Sequence, residues 1–237
     1  MIDKRWPSAA DALADVADGA TVLIGGFGEA GTPTELIHAL LDQGARGLTV
    51  VNNNAGNGEI GLAALIREGR VRRMICSYPR TSHCHVFNEF YRAGRIELEL
   101  SPQGTLAERI RAGGAGIPAF YTPTAADTDL SAGKETRMFA GRLHVLEEAI
   151  QADLALIKAE TADRWGNLIY RKAARNFGPV MATAARTTVV QVRRVVEPGD
   201  LDPEAIVTPG IFVHRVVAVT DPISEAAHLA LLPRVGA

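Results

Sequence analysis

The stretch VLIGGFGEAGTP, Val22 to Pro33, decides the fold. Val22, Leu23 and Ile24 form a short apolar run of the kind a strand buried on both faces requires. Gly25, Gly26 and Gly28 follow at once, Gly31 comes shortly after, and Leu36, Ile37, Leu40 and Leu41 then recur at helical spacing. Strand, glycine turn and helix in that order open a βαβ unit. Thr32 reads as the helix N-cap, Pro33 as a first-turn residue and Gly44 as the stop.

The same grammar repeats outward from this unit. LTVVNNN, RMICSY and IELEL read as further strands, and GLAALIREG and VFNEFYRAG as short helices closed by glycine. Alternating strands and helices imply an α/β domain with a mainly parallel sheet flanked by helices. After about residue 115 the texture becomes turn-rich, and TRMF and LHVLE straddle Gly141 as a hairpin, a small antiparallel extension. DLALIKAE, GNLIYR, TTVVQVRRVV and GIFVHRVVAV read as strands, with FGPVMATAAR as a helix between them. The tail SEAAHLALLPRVGA reads as a short helix or a cover for a partner. No repeat or low-complexity linker divides the chain, so residues 1–237 are expected to form a single domain.

Composition removes several classes of function. With 25 Lys and Arg against 27 Asp and Glu, the net charge of -2 offers no general attraction for nucleic acid. The longest apolar runs are a few residues and MIDKRWPSAAD lacks the core of a secretion signal, so a cytoplasmic chain without membrane association is expected. Two cysteines, Cys76 and Cys84, are too few for a disulfide framework. His83, Cys84 and His85 are adjacent and point apart on either a strand or a helix, so no metal site is assigned.

Gly26, Gly28 and Gly31 spell G-x-G-x-x-G, yet a dinucleotide fold also wants an acid at the end of the second strand for the ribose hydroxyls. That strand ends in Asn52, Asn53 and Asn54. Pro33 also sits where a pyrophosphate expects free amides. What remains is a loop of bare backbone N–H groups at the carboxyl edge of a sheet, able to stabilise charge developing on a carbonyl oxygen. The plainer reading is a tight turn. NNNAGNGEIG and SPQG follow two other strands and bring side-chain amides, with Gln103 projecting from its strand end between Pro102 and Gly104. These are neutral hydrogen-bonding groups without a local acid, base or thiol, which fits holding a carboxylate or thioester while the nucleophile comes from elsewhere. Asn and Gly also make turns that need no ligand.

GGFGEAGTP, NNNAG, PQGTLAERIRAGGAGIPAFYTPT, ALIKAETADRWGNLIYRKAARNF and TPGIFVHRVV together resemble the α subunit of the family I CoA-transferases. The resemblance implies the fold those enzymes share with related sugar-phosphate isomerases, and a β-subunit partner in a heterodimer or A2B2 assembly. It implies CoA thioester as substrate, with no metal and no permanently bound cofactor. NNNAGNGEIGLAALI and YRKAARNFGPVMATAA are most similar to members that move CoA from succinyl-CoA to 3-oxoadipate; acetoacetate or another short-chain acyl acceptor is the alternative. In the family the thioester is attacked by a glutamate that lies in a Glu-Asn-Gly run of the other subunit, and this chain has no such run. Glu59 instead reads as a helix N-terminal acid and Glu29 as a solvated turn residue.

Mapped on these motifs, Gln103 would bond a substrate carboxylate or the anhydride oxygen. Asn53 and Asn54 would position the acyl group, and Gly26, Phe27 and Gly28 would line the thioester end; core packing is the other reading of Phe27. Arg171, Lys172 and Arg175 read either as a CoA-phosphate site or as a solvated face. Ala125, Ala126 and Asp127 stand where the family more often carries Gly-Tyr-Gly, which takes glycine flexibility out of that loop. A metabolite-sensing domain would want a DNA-binding partner, and no helix-turn-helix segment is visible.

Overall fold

The computed structural model describes residues 2–81 and 83–231. Along the chain run β1 (Arg5–Trp6), α1 (Ala9–Leu13), β2 (Thr21–Ile24), α2 (Thr34–Gln43), β3 (Leu48–Val51), α3 (Leu62–Arg67), β4 (Val71–Cys76), α4 (His85–Arg92), β5 (Glu97–Leu100) and α5 (Gln103–Gly114). There follow β6 (Ala119–Thr122), β7 (Thr136–Phe139), β8 (Arg142–Glu148), β9 (Ala152–Lys158), β10 (Thr161–Asp163), β11 (Leu168–Ile169), α6 (Gly178–Thr183), β12 (Ala185–Val192), β13 (Arg194–Val196), β14 (Arg215–Ala218) and α7 (Glu225–Leu229).

Eight strands form one sheet in the order β1-β14-β12-β9-β2-β3-β4-β5, and every neighbouring pair is parallel. The pleat sends Val22 and Ile24 to one face and Leu23 to the other. The first face packs on Leu36, Ile37 and Leu40 of α2, Leu65 of α3 and Phe87 of α4. The second packs on Leu106 and Ile110 of α5 and Met181 of α6. Burying both faces is what makes these strands continuous apolar runs. The sheet grows in opposite directions from the β2–β9 pair, so the loop after β2 leaves the sheet at its topological switch point, where open α/β sheets bind ligands.

The antiparallel extension is present as β6-β8-β7, with the expected turn at Gly141. Arg109 of α5, largely buried, ties it to the main sheet: Nη1 reaches Glu99 of β5 at 2.5 Å and Nε donates to the Glu148 carbonyl of β8 at 2.7 Å. Arg73 of β4 adds a 2.5 Å contact to Glu99. Burial raises the Glu99 carboxyl's proton affinity, but hydrogen bonds and charge from Arg109 and Arg73 outweigh it and hold it below the ordinary carboxylate range. Such a pair adds little net stability against an apolar replacement, yet losing one partner strands a buried charge.

Several local readings are corrected. Pro33, not Thr32, occupies the N-cap position of α2, because Thr32 turns its hydroxyl back to the Gly28 carbonyl at 3.3 Å. TTVVQVRRVV breaks into β12 and β13, and β13 joins a separate small sheet with β10 and β11. GIFVHRVVAV is strand only in its second half; Gly210–Phe212 is a 3₁₀ turn. FGPVMATAAR holds only the six-residue α6. In the tail, Glu225–Leu229 is helical, and residues 232–237 lie outside the described residues. Ala125 adopts φ +61°, a left-handed backbone that costs a non-glycine residue about 1–2 kcal/mol, so this turn keeps a glycine-like conformation without the glycine.

Candidate active site

The carboxyl ends of β2, β3, β4 and β5 lie side by side, because the strands are parallel neighbours. β3 delivers the three asparagines, all buried. Asn52 faces back into the sheet: its Nδ2 donates to the Ile24 carbonyl of β2 at 2.7 Å, and its Oδ1 accepts the Asn54 amide at 2.8 Å. The Asn54 Oδ1 in turn accepts the Gly56 amide at 3.0 Å. Two asparagines therefore shape the turn, and the third, Asn53, is left for other work.

Asn53 is where the strand ends meet. Its Oδ1 accepts the Gln103 Nε2 hydrogen at 2.8 Å and the Ser77 hydroxyl at 2.8 Å. Ser77 also donates to the Asn53 carbonyl at 3.0 Å, and the Ser77 and Tyr78 amides converge on that carbonyl at 3.2 and 3.0 Å. With both contacts made by its oxygen, the Asn53 carboxamide turns its nitrogen to the other side, where it donates to no described residue. Gln103 opens α5, so the positive end of a twelve-residue helix points at the same place. The buried hydroxyl of Ser101, two residues before Gln103, has no partner among the described residues.

The glycine loop leaves the neighbouring strand, β2, at the same edge of the sheet. Gly26, at φ +126°, has no room for a side chain, since a Cβ would lie 2.5 Å from the Thr32 hydroxyl. A Cβ on Gly31 would lie 2.4 Å from the Ala174 carbonyl, because the 172–175 turn packs directly on the loop. Asn176 staples the two together: its Oδ1 accepts the Gly26 amide at 3.2 Å and its Nδ2 donates to the Ala30 carbonyl at 2.8 Å. The expectation of three bare amides is therefore corrected. The Gly26 amide goes to Asn176 and the Phe27 amide to the Ala30 carbonyl at 3.0 Å, while the Gly28 amide has no partner among the described residues. Phe27 is 51% exposed, which removes the core-packing reading. Gly28, Thr32, Asn52, Asn54 and Asn57 line one small cavity, so the glycine loop and the asparagine turn share a cleft.

The amino end of α2 is unsuited to a pyrophosphate. The Leu36 amide is taken by Gln191 Oε1 at 3.3 Å, and Glu35 hydrogen-bonds the Gln191 side-chain nitrogen. Glu59 is not a first-turn helix acid; it is paired with Arg67 at 2.5 Å and His85 at 3.0 Å, and Arg67 first and His85 second hold its carboxyl below the ordinary range. Glu29 lies half-buried in the glycine loop. Arg171, Lys172 and Arg175 are exposed on the turn that backs that loop. Among the described residues no cluster of His, Cys, Asp and Glu has metal-ligating geometry, and Cys76 is buried with its thiol pushed up to about 12 by burial.

Sequence reading missed Ser77 and Asn176. Ser77 directly follows β4, the strand between the two already suspected, so the parallel order alone would have pointed to it. Asn176 closes the basic run that was read for its charges.

Fold and site together define a class: an α/β scaffold that gathers neutral hydrogen-bonding groups at the carboxyl edge of its parallel sheet. The coenzyme A transferase family model matches residues 7–219. The A subunit of the 3-oxoadipate CoA-transferase of Pseudomonas putida is 61% identical over 93% of this chain and 95% of its own length. The A subunit of the succinyl-CoA:3-ketoacid coenzyme A transferase of Xanthomonas campestris pv. campestris is 52% identical over 92% of this chain and 90% of its own. An acyl-CoA transferase from E. coli O157:H7 superimposes with a TM-score of 0.84 at 23% identity, over 94% of this chain and 50% of that one. Glutaconate coenzyme A-transferase from Acidaminococcus fermentans gives 0.81 at 22%, over 91% and 75%. At those identities the solved structures speak for the fold alone. The chain belongs to the coenzyme A transferase family of enzymes.

Proposed function

We propose that this chain is the α subunit of a CoA-transferase that moves CoA from succinyl-CoA to 3-oxoadipate, working with a β subunit that carries the nucleophilic glutamate. The observation that carries this reading is the Asn53–Gln103 hydrogen bond of 2.8 Å, which joins two strand ends into one neutral donor cluster. The 61% identity to one chain of a 3-oxoadipate CoA-transferase supports the acceptor.

In the proposed cycle a carboxylate oxygen of the partner attacks the thioester carbonyl carbon. The C–S bond breaks, CoA leaves as thiolate, and a mixed acyl anhydride remains. The thiolate then attacks the glutamyl carbonyl, releasing succinate and leaving a glutamyl-CoA thioester. The acceptor carboxylate repeats the sequence in reverse and departs as its CoA thioester. Each tetrahedral step puts negative charge on a former carbonyl oxygen, and the Asn53 Nδ2 group, the second Gln103 Nε2 hydrogen and the Gly28 amide are the donors offered to it. On this reading the reaction needs no bound metal or redox cofactor, the chain acts as one domain in the cytoplasm, and the site is complete only at the contact between the two subunits. Among the described residues no helix is long and apolar enough to cross a membrane.

The test is reconstitution. The purified chain is assayed alone and with its β subunit for thioester exchange between succinyl-CoA and 3-oxoadipate. Exchange only in the pair is expected; robust turnover by the chain alone would contradict a shared site.

A further inference from the structure

The four loops that leave β2, β3, β4 and β5 carry few charges. Apart from His83, they hold only Glu29, Glu59 and Arg80 among the described residues. Glu59 is ion-paired with Arg67 and within hydrogen-bond distance of His85. Arg80 is exposed, and its guanidinium makes no ion pair or hydrogen bond with any described residue. The other polar side chains of these four loops are amides, hydroxyls and the Cys84 thiol.

The position of Arg80 is constrained from both sides. Tyr78, two residues earlier, is bridged to Asn54, and Thr81, one residue later, donates its hydroxyl to Asn57 Oδ1. The Gly58 amide donates to the His83 carbonyl at 2.8 Å. The loop after β4 is thus fastened along the asparagine turn, and β4 lies between the strands that supply Asn53 and Gln103. Two residues span at most about 7 Å of chain, so the Arg80 backbone stays close to Tyr78, whose amide donates to the Asn53 carbonyl. Of the other cations without a side-chain partner near the edge, Arg171, Lys172 and Arg175 back the glycine loop, while Lys158 ends β9 and Arg193 follows β12, on the opposite side of the switch point from β3, β4 and β5.

3-Oxoadipate differs from acetoacetate in ending with a second carboxylate that takes no part in the exchange. A site of neutral groups compensates that charge poorly, whereas a free guanidinium does so through charge-assisted, bidentate hydrogen bonds. We infer that Arg80 binds the unreactive distal carboxylate of the acyl group, and that it makes this subunit selective for dicarboxylic 3-oxo acids over monocarboxylic ones. The inference rests on the CoA-transferase reading above and deepens it.

The experiment uses the reconstituted pair, preloaded as the enzyme–CoA thioester, and compares kcat/KM for 3-oxoadipate and acetoacetate in the second half-reaction. Arg80→Gln is expected to lower the ratio of the two values roughly ten- to a hundredfold, with Arg80→Lys in between and Arg80→Glu lowest. An unchanged ratio, whether or not both rates fall, would overturn the inference and leave the CoA-transferase reading standing. A wild-type pair that transfers CoA to acetoacetate and not to 3-oxoadipate would instead overturn the reading of the acceptor, and the role of Arg80 with it.

Discussion

Asn53→Asp is the sharpest probe of the donor cluster, because it alters chemistry and leaves shape alone. A carboxylate presents the same acceptor oxygen to Ser77 and Gln103, now at 2.8 Å from each, so the local hydrogen bonds and the fold of the chain survive. What disappears is the Nδ2 donor, and a negative charge takes its place. Losing a donor to a charged oxygen costs roughly 1.5–3 kcal/mol. Two like charges at ~4 Å repel by about 4 kcal/mol at an effective dielectric near 20. Together these amount to about 6 kcal/mol, or a fall of roughly ten-thousandfold in turnover at about 1.4 kcal/mol per decade. Asn53→Ala, which loses the donor without gaining the charge, falls by roughly thirtyfold on the same arithmetic.

The two variants also separate by pH. Protonating the new carboxyl removes the repulsion and supplies an O–H donor, so the deficit of Asn53→Asp shrinks as pH falls, while that of Asn53→Ala stays flat. Taking each rate as a ratio to wild type at the same pH cancels the titration of the partner's glutamate. The assay is steady-state thioester exchange by the reconstituted pair, with thermal unfolding and gel filtration confirming assembly. An intact Asn53→Asp complex that works within about threefold of wild type would refute the assignment of the Nδ2 group to the developing charge.

Two further outcomes follow from the surrounding contacts. Asn176→Ala removes the side chain that joins the glycine loop to the 172–175 turn; water replaces part of what is lost, so roughly 1–3 kcal/mol should go, seen as a thermal midpoint roughly 3–8 °C lower, and an unchanged midpoint would show that the staple does nothing. His214 is held below its ordinary range first by burial and then by Lys4 and Arg215, while its Nδ1 accepts the Thr188 amide at 3.0 Å. Its folded pKa is depressed, so its contribution is present above the unfolded value near 6.5 and is lost as pH falls below it; midpoints recorded down to pH 5.5 should decline for wild type and decline less for His214→Gln.

The sheet was legible in the sequence because its signals are local. β2 and β3 are short runs of apolar and β-branched residues, each followed by a glycine or asparagine turn and a helix. The later strands were harder to bound. GIFVHRVVAV is apolar throughout, yet Gly210 lies against the Trp165 carbonyl, where a Cβ would sit at 2.4 Å, and that tertiary contact turns its first half into a 3₁₀ turn. Gln103 and Asn53 could be suspected one at a time, from strand ends. Their hydrogen bond could not, since it depends on β4 lying between their strands and on Ser77 filling the gap. The Gly26 amide illustrates the converse: the loop reads as a row of free donors until Asn176, distant in sequence, takes one of them.

In the proposed reaction the neutrality of the cluster has a chemical reason. A mixed anhydride carries no charge at its linkage, and the charge that appears on either side of it lasts only through the tetrahedral steps. A full cation beside the linkage would pair with the attacking carboxylate in the ground state and lower its nucleophilicity, so binding would gain at the expense of turnover. Amide dipoles and a helix amino end favour the transient oxyanion with less hold on the resting carboxylate. The same logic places a guanidinium where charge is permanent. The distal carboxylate of a dicarboxylic acyl group remains ionised from binding to release, so a fixed cation there costs the chemistry nothing. Arg80, unpaired and two residues beyond the Asn54–Tyr78 bridge, is the residue these strand-end loops offer for that purpose.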